Sequence, residues 1–346
     1  MKKIRMQKGI TLIALIITII ILLILAVVTI GSIKNRNIIT YAQNASKDYN
    51  DKKVEEESII AGYESLIESK LPGEKGGSKV TYTDEGVPVP AGFKVVTGTK
   101  VDGLVIENET EGSQFVWVPV EEDITTSEAE VIIYDEDVNN LKIINDKLGT
   151  TYSNSNDFLL ALQTDFEKMK VSVNYYNGFY VGRYEVSYNS KGEAKSKGSS
   201  VEPYVYSAIN STTSPNNNNA TNWYGLYALC KTYNTDSVKS SMIWGCQYDA
   251  MYTWMEEEEI KFDRYKYNND SDRRTGYVPK DVLKNVYDLA GNSYEWMIKA
   301  DGSYGRKAYG GAFNSGIGGS LSFGATATPV NRNGDFSSRL TLYIEL

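Results

Sequence analysis

Two cysteines, Cys230 and Cys246, and no histidine define the chemistry open to this chain of 346 residues. Without imidazole there is no Ser-His-Asp or Cys-His nucleophile, no His-ligated zinc and no imidazole proton shuttle. Two thiolates cannot complete a four-ligand metal site. Outside a cell the pair could close one disulfide around a loop of about 17 residues, worth up to ~3 kcal/mol; two free thiols are the alternative. The acidic run 256–259 reads as a solvated helix end or loop rather than a cation site. Recognition chemistry is better represented. The chain has 26 tyrosines, many interleaved with Asn, Ser and Gly. Tyrosine offers broad amphipathic contact area, and small polar neighbours add adaptable hydrogen bonds. Residues 313–337 are dense in Asn, Ser, Gly, Thr and Ala. Within and beside that stretch, Phe313, Asn314, Ser315, Ser320, Ser322, Phe323, Asn331, Asn333, Asp335 and Phe336 are the candidate ligand contacts.

The elements that must position these groups begin with a membrane signal. Residues 1–9 carry Lys2, Lys3, Arg5 and Lys8 and no acid. Between residues 10 and 30 the only polar side chains are Thr11, Thr18 and Thr29. As a helix that run spans about 31 Å, the thickness of a bilayer's hydrocarbon core. The pattern predicts a membrane-spanning helix over 10–33 in contact with lipid. Four cations precede it and only Lys34 and Arg36 closely follow, so the amino end stays cytoplasmic and the rest lies outside. A cleaved secretory signal fits less well, because its apolar region is shorter and a small-residue cleavage site should follow.

Residues 34–70 read as an amphipathic stalk helix, with Ile38, Ala42, Ala45 and Tyr49, then Ile60, Tyr63 and Ile67, at helical spacing. Pro72, Gly73, Gly76 and Gly77 break it, so 71–79 is a linker and 80–346 the outer domain. There, 115–120 and 178–186 read as strands, and 157–169, capped by Asn156 or Asp157, and 221–233 as helices. Residues 207–220 and 268–275 read as exposed loops. The net charge is −8, and loss of the four leader cations would leave −12. That balance excludes nucleic acid and anionic lipid heads as partners.

Residues 7–21, QKGITLIALIITIII, resemble the amino terminus of a type IV prepilin. The likeness implies cleavage by a prepilin peptidase between Gly9 and Ile10, and other pilin-like subunits as partners. Ala14 stands where that family usually carries a glutamate that pairs with a neighbouring subunit's new amino terminus. A carboxylate in lipid needs such a partner; its absence favours anchoring over packing into an ordinary pilus. A simple uncleaved anchor is the alternative.

Residues 286–296, VYDLAGNSYEW, resemble the signature of the formylglycine-generating enzyme, or sulfatase-modifying factor, family. The segments 309–314 (YGGAFN) and 338–344 (SRLTLYI) resemble two later motifs of that family, and 115–120, 179–186 and 223–231 its earlier elements. The resemblance implies an α+β fold of the C-type lectin kind. Enzymes of that family oxidise a cysteine with copper held by two cysteines just after the second motif. Here 310–324 contains none, and Cys230 and Cys246 lie upstream, so the likeness implies an inactive relative rather than an enzyme. It also implies that Gly291, Asn292, Ser293 and Glu295 could wrap a calcium ion; the alternative is that Glu295 caps backbone amides in the core. Tyr287, Leu289 and Trp296 read as core. In the lectin-type fold 313–337 belongs to the exposed binding face. Similar domains are targets of diversity-generating retroelements, which scramble asparagine codons and leave such a composition.

The expectation is a single-pass protein of the cell membrane with its carboxy-terminal domain extracellular, binding an extracellular protein or glycan. A minor pilin or pseudopilin with a structural role is the second reading, and a cysteine-oxidising enzyme the third.

Overall fold

The structure, a computed structural model, describes residues 17–23, 80–124, 138–198, 222–256, 275–276, 281–289, 291–301, 305–311, 324–330 and 336–346. The chain divides into two units, Met1–Glu57 and Ser58–Leu346. In the first, residues 17–23 are helical and their Ile and Leu side chains stand about half exposed or more. The rest of 10–33, the Gly9–Ile10 bond and the 34–79 stalk and linker lie outside the described residues. Among the described residues no helix is long and apolar enough to cross a membrane.

The second unit is α+β, mostly sheet with few helices. A short hairpin of β1 (Val80–Tyr82) and β2 (Pro88–Pro90) opens it. A meander follows: β3 (Phe93–Thr97), β4 (Val105–Asn108) and β5 (Gln114–Pro119). Helices α1 (Val138–Leu148) and α2 (Ser155–Tyr176) lead to β6 (Gly178–Gly182) and a small hairpin of β7 (Ser187–Tyr188) and β8 (Ala194–Lys195). Then come α3 (Trp223–Cys230), β9 (Val238–Met242) and α4 (Gly245–Glu256). A second small hairpin pairs β10 (Val282–Leu283) with β11 (Val286–Tyr287). The last strands are β12 (Tyr294–Asp301), β13 (Gly305–Tyr309), β14 (Gly324–Ala327), β15 (Phe336–Ser338) and β16 (Leu340–Ile344).

Strands β5, β6 and β16 carry apolar side chains at consecutive positions, the pattern of strands covered on both faces. They lie inside a six-stranded antiparallel sheet of order β3-β4-β5-β6-β16-β9. Helix α2 contacts β6 and β16, α3 contacts β9, and α4 contacts β5 and β12. A second sheet, β14-β13-β12-β15, is antiparallel except for its β12–β15 pair. Only Arg339 separates β15 from β16, so the chain passes from the small sheet into the large one at that residue. The backbone N–H groups of Ile243 and Ile298 extend the seam, donating to the carbonyls of Arg339 and Ile243 at 3.1 and 2.9 Å.

Phe158, Leu162, Phe166, Met169 and Val173 recur at helical spacing and bury one face of α2. Its cap is Asn154, not Asn156 or Asp157. Asn154 has extended backbone and accepts the Asp157 N–H at 3.0 Å, while the Asp157 carboxylate accepts the Ser153 N–H at 3.0 Å. The helix ends at Asn177, left-handed at φ 55°, whose N–H donates to the Val173 carbonyl. Helix α3 is buried along its whole length, which explains its apolar surface all round.

The Cys230–Cys246 disulfide is not formed; both cysteines are thiols. Cys230 ends α3, fully buried, with its thiol hydrogen-bonded to Ser338, and burial pushes that thiol up to about 12. Cys246 lies half-buried in the first turn of α4, after the chain has run out along β9 and reversed.

Candidate functional site

Strand β12 starts from a turn in which Asp288 and Asn292 hold left-handed backbone, φ 63° and 62°, conformations that Asn and Asp tolerate best among residues with a Cβ. Beneath that turn sits a buried charge cluster. Arg339 is fully buried; its Nε donates to Glu295 Oε2 at 3.0 Å and its Nη2 to Glu295 Oε1. Its remaining donors reach the Gly182 carbonyl at 2.9 Å and the Tyr287 carbonyl at 2.7 Å. Two more buried acids flank it. The Asp288 carboxylate accepts from Thr275 Oγ1 and the Gly276 N–H, both at 2.6 Å. Glu185 accepts from Asn292 Nδ2 through Oε2, while its buried Oε1 has no hydrogen-bond partner among the described residues. Burial pushes Glu185 well above the usual carboxylate range, with Asp288 and Glu295 adding to the shift. Burial likewise holds Asp288 up, to about 6. Glu295 is also raised by burial, although Arg339 opposes the shift.

In this geometry the side chains of the turn expected to hold calcium have other partners. Gly291, Asn292, Ser293 and Glu295 do come together, but both Glu295 oxygens face a guanidinium and the Asn292 amide donates to Glu185. A divalent cation there would meet a buried positive charge at contact distance. Among the described residues no group of three or more His, Cys, Asp and Glu side chains could hold a metal ion. Nor does Glu295 cap backbone amides; its partner is Arg339.

The register of the second sheet brings to one end the strand residues that flank the candidate recognition segments in sequence. Gly324, Tyr309, Glu295 and Ser337 form one cross-strand row over all four strands. At this end β13 finishes and β12, β14 and β15 begin. The chain therefore leaves Tyr309 and returns at Gly324 on the same side on which residues 331–335 lead into Phe336. Gly310 makes the departure feasible: its φ is +90°, and a Cβ there would lie 2.9 Å from the Leu289 carbonyl. The floor of this end is aromatic. Phe336 stacks on Trp296 at 4.6 Å and lies 5.4 Å from Tyr294, and Tyr309 stacks on Tyr248 at 4.7 Å.

Phe336, expected as a ligand contact, is thus a buried floor residue. Phe313, Asn314, Ser315, Ser320, Ser322, Phe323, Asn331, Asn333 and Asp335 lie outside the described residues. The tyrosines are also less outward than composition suggests. Tyr180, Tyr224, Tyr227, Tyr233, Tyr248 and Tyr343 are buried, while Tyr82 and Tyr175 are exposed. As expected, Trp296 and Leu289 are core; Tyr287 is half-buried and stacks on Tyr184 at 5.1 Å. Sequence reasoning gave no role to Glu185, Asp288 or Arg339. The available signal was charge within apolar runs: Arg339 in SSRLTLYI and Glu185 in GFYVGRYEV.

Comparison of the chain with protein-family models, with curated proteins and with solved structures found no match.

Proposed function

We propose that this chain is a membrane-anchored protein displayed at the bacterial surface, where the end of its second sheet binds an extracellular protein or glycan. The observation that carries the reading is the cross-strand row Gly324–Tyr309–Glu295–Ser337. It sets Tyr309, Gly324 and Ser337 side by side, next to the aromatic group of Tyr294, Trp296 and Phe336, and the Asn-, Ser- and Gly-rich stretches that join these strands in sequence supply the chemistry of an adaptable recognition surface. With no histidine and no thiol in 310–324, the domain is an inactive relative of the formylglycine-generating enzymes it resembles. Residues 10–33 anchor it in the membrane after the pattern of a type IV pilin, with or without cleavage at Gly9–Ile10.

The test is surface accessibility. Antibodies against residues 80–346 should label intact cells expressing the chain, and the protein should sediment with membranes. Recovery of the chain as a freely diffusing cytosolic species would overturn the proposal. Recovery in sheared filaments, with a new amino terminus at Ile10, would favour a structural pilin role instead.

A further inference from the structure

A second recognition site lies away from the sheet end. The α1–α2 connection, the first turns of α2 and the end of α3 enclose a cleft of about 540 Å³, within the range of small-ligand sites. Its polar centre is an ion pair from two elements: Lys231 Nζ lies 2.7 Å from Asp165 Oδ2, and both side chains are about one-fifth exposed. Tyr227 Oη also donates to Asp165 Oδ2, at 3.4 Å, leaving Oδ1 without a partner among the described residues. Around the pair, Thr164 and Thr150 have committed their hydroxyl protons, to the Leu160 carbonyl at 2.8 Å and to Asn145 Oδ1 at 2.8 Å. Both retain acceptor lone pairs. Leu160, 46 % exposed, forms an apolar rim.

These groups specify a ligand class. Asp165 accepts and Lys231 donates, side by side, and adjacent hydroxyls on a sugar ring can satisfy both at once. Lys231 offsets Asp165, and the other carboxylate of the lining, Asp157, is held by Ser153 and Asn154, so the cleft disfavours anions and offers a cation no unpaired carboxylate group. The threonines provide only acceptors, so a partner rich in O–H donors matches them. The C–H face of a pyranose would lie on Leu160. We propose that this cleft binds a neutral pyranose sugar, with the Asp165–Lys231 pair engaging a vicinal diol and Leu160 contacting the ring face. The site goes beyond the sheet-end reading and stands or falls independently of it.

The experiment is saturation-transfer NMR on the purified full-length chain with D-glucose, D-galactose, D-mannose and N-acetylglucosamine. At least one should bind saturably. Asp165→Asn and Leu160→Asp should each weaken that binding about tenfold or more. Leu160 is exposed, so the Leu160→Asp protein should melt as the parent does and separates loss of the site from loss of the fold. Absence of binding for all four sugars at tens of millimolar would overturn the proposal. So would binding that both variants retain, or binding of a cationic peptide in preference to any of the sugars. Sugar binding abolished only by substitutions at Asn314, Ser315, Asn331 and Asn333 would also overturn it, and would locate the sugar at the sheet end.

Discussion

Arg339 is the residue on which the two sheets meet, and its environment makes its removal severe. It is fully buried, paired through two bonds to Glu295, with Glu185 and Asp288 close enough to be felt electrostatically. Removing one partner of a buried pair leaves an uncompensated charge, so Arg339→Met should cost about 3–5 kcal/mol. At neutral pH Glu295→Gln should cost less, because Asp288, raised only to about 6, still compensates the guanidinium. Urea unfolding of the two variants gives that order; equal losses would show that Asp288 contributes nothing. The flanking acids also predict a pH dependence. Glu185 and Asp288 are raised in the folded state, Asp288 to about 6, so the fold holds protons that the unfolded chain has already released. Their contribution is fully present below the unfolded carboxylate range and is lost as pH rises through the folded values. The thermal midpoint should therefore fall between about pH 4 and pH 6 and beyond, and Glu185→Gln should flatten that fall. A midpoint that rises over the same range in the parent protein would contradict the assignment. None of this was legible from spacing: Glu185, Asp288 and Arg339 lie far apart in sequence, and only the fold gives a lone charge in an apolar run its partner.

At the scale of elements, local signals were readable where periodicity was long. Residues 157–169 were expected as a helix with a cap at its start, and the structure shows Phe158, Leu162, Phe166 and Met169 along its buried face; β5 and β6 were expected because their apolar runs are rich in β-branched and aromatic residues. Helices α1 and α4 went unread. The spacing of Leu141, Ile144 and Leu148 is present in α1 but brief, and α4 mixes aromatic, amide and acidic side chains with little contrast between its faces. The cap of α2 was misplaced by two residues, because Asn154, Asn156 and Asp157 all suit the role and only backbone geometry selects among them. Asn154→Ala should destabilise the domain by about 1 kcal/mol in denaturant unfolding; no change would mean that Asp157 and Ser153 cap the helix without it. Gly178 is required for a different reason. A Cβ there would lie 2.3 Å from the Trp117 ring and 2.6 Å from the Val118 carbonyl, where β6 crosses β5. Gly178→Ala should therefore cost about 3 kcal/mol or more, and a stable alanine variant would show that Trp117 can move aside.

Across the whole molecule, the α+β class was legible from composition and pattern, and the sheet topology was not. Antiparallel pairing of β16 between β6 and β9 joins segments about a hundred residues apart or more, and no local rule reports such a partner. The partner of Glu295 was hidden for the same reason: the sequence places Gly291, Asn292, Ser293 and Glu295 together, but Arg339 arrives from a distant strand. Tyr309, Gly324 and Ser337 do meet at one end of a sheet, a property of register rather than of composition. The account therefore rests on that end being a binding face. The most direct measurement is binding of the purified full-length chain to immobilised glycans and extracellular proteins, beside a variant with Asn314, Ser315, Asn331 and Asn333 changed to alanine. The account predicts that the parent binds at least one immobilised class and that the variant, with an unchanged melting curve, loses it. A parent that binds nothing, or a variant that binds as well as the parent, would contradict it.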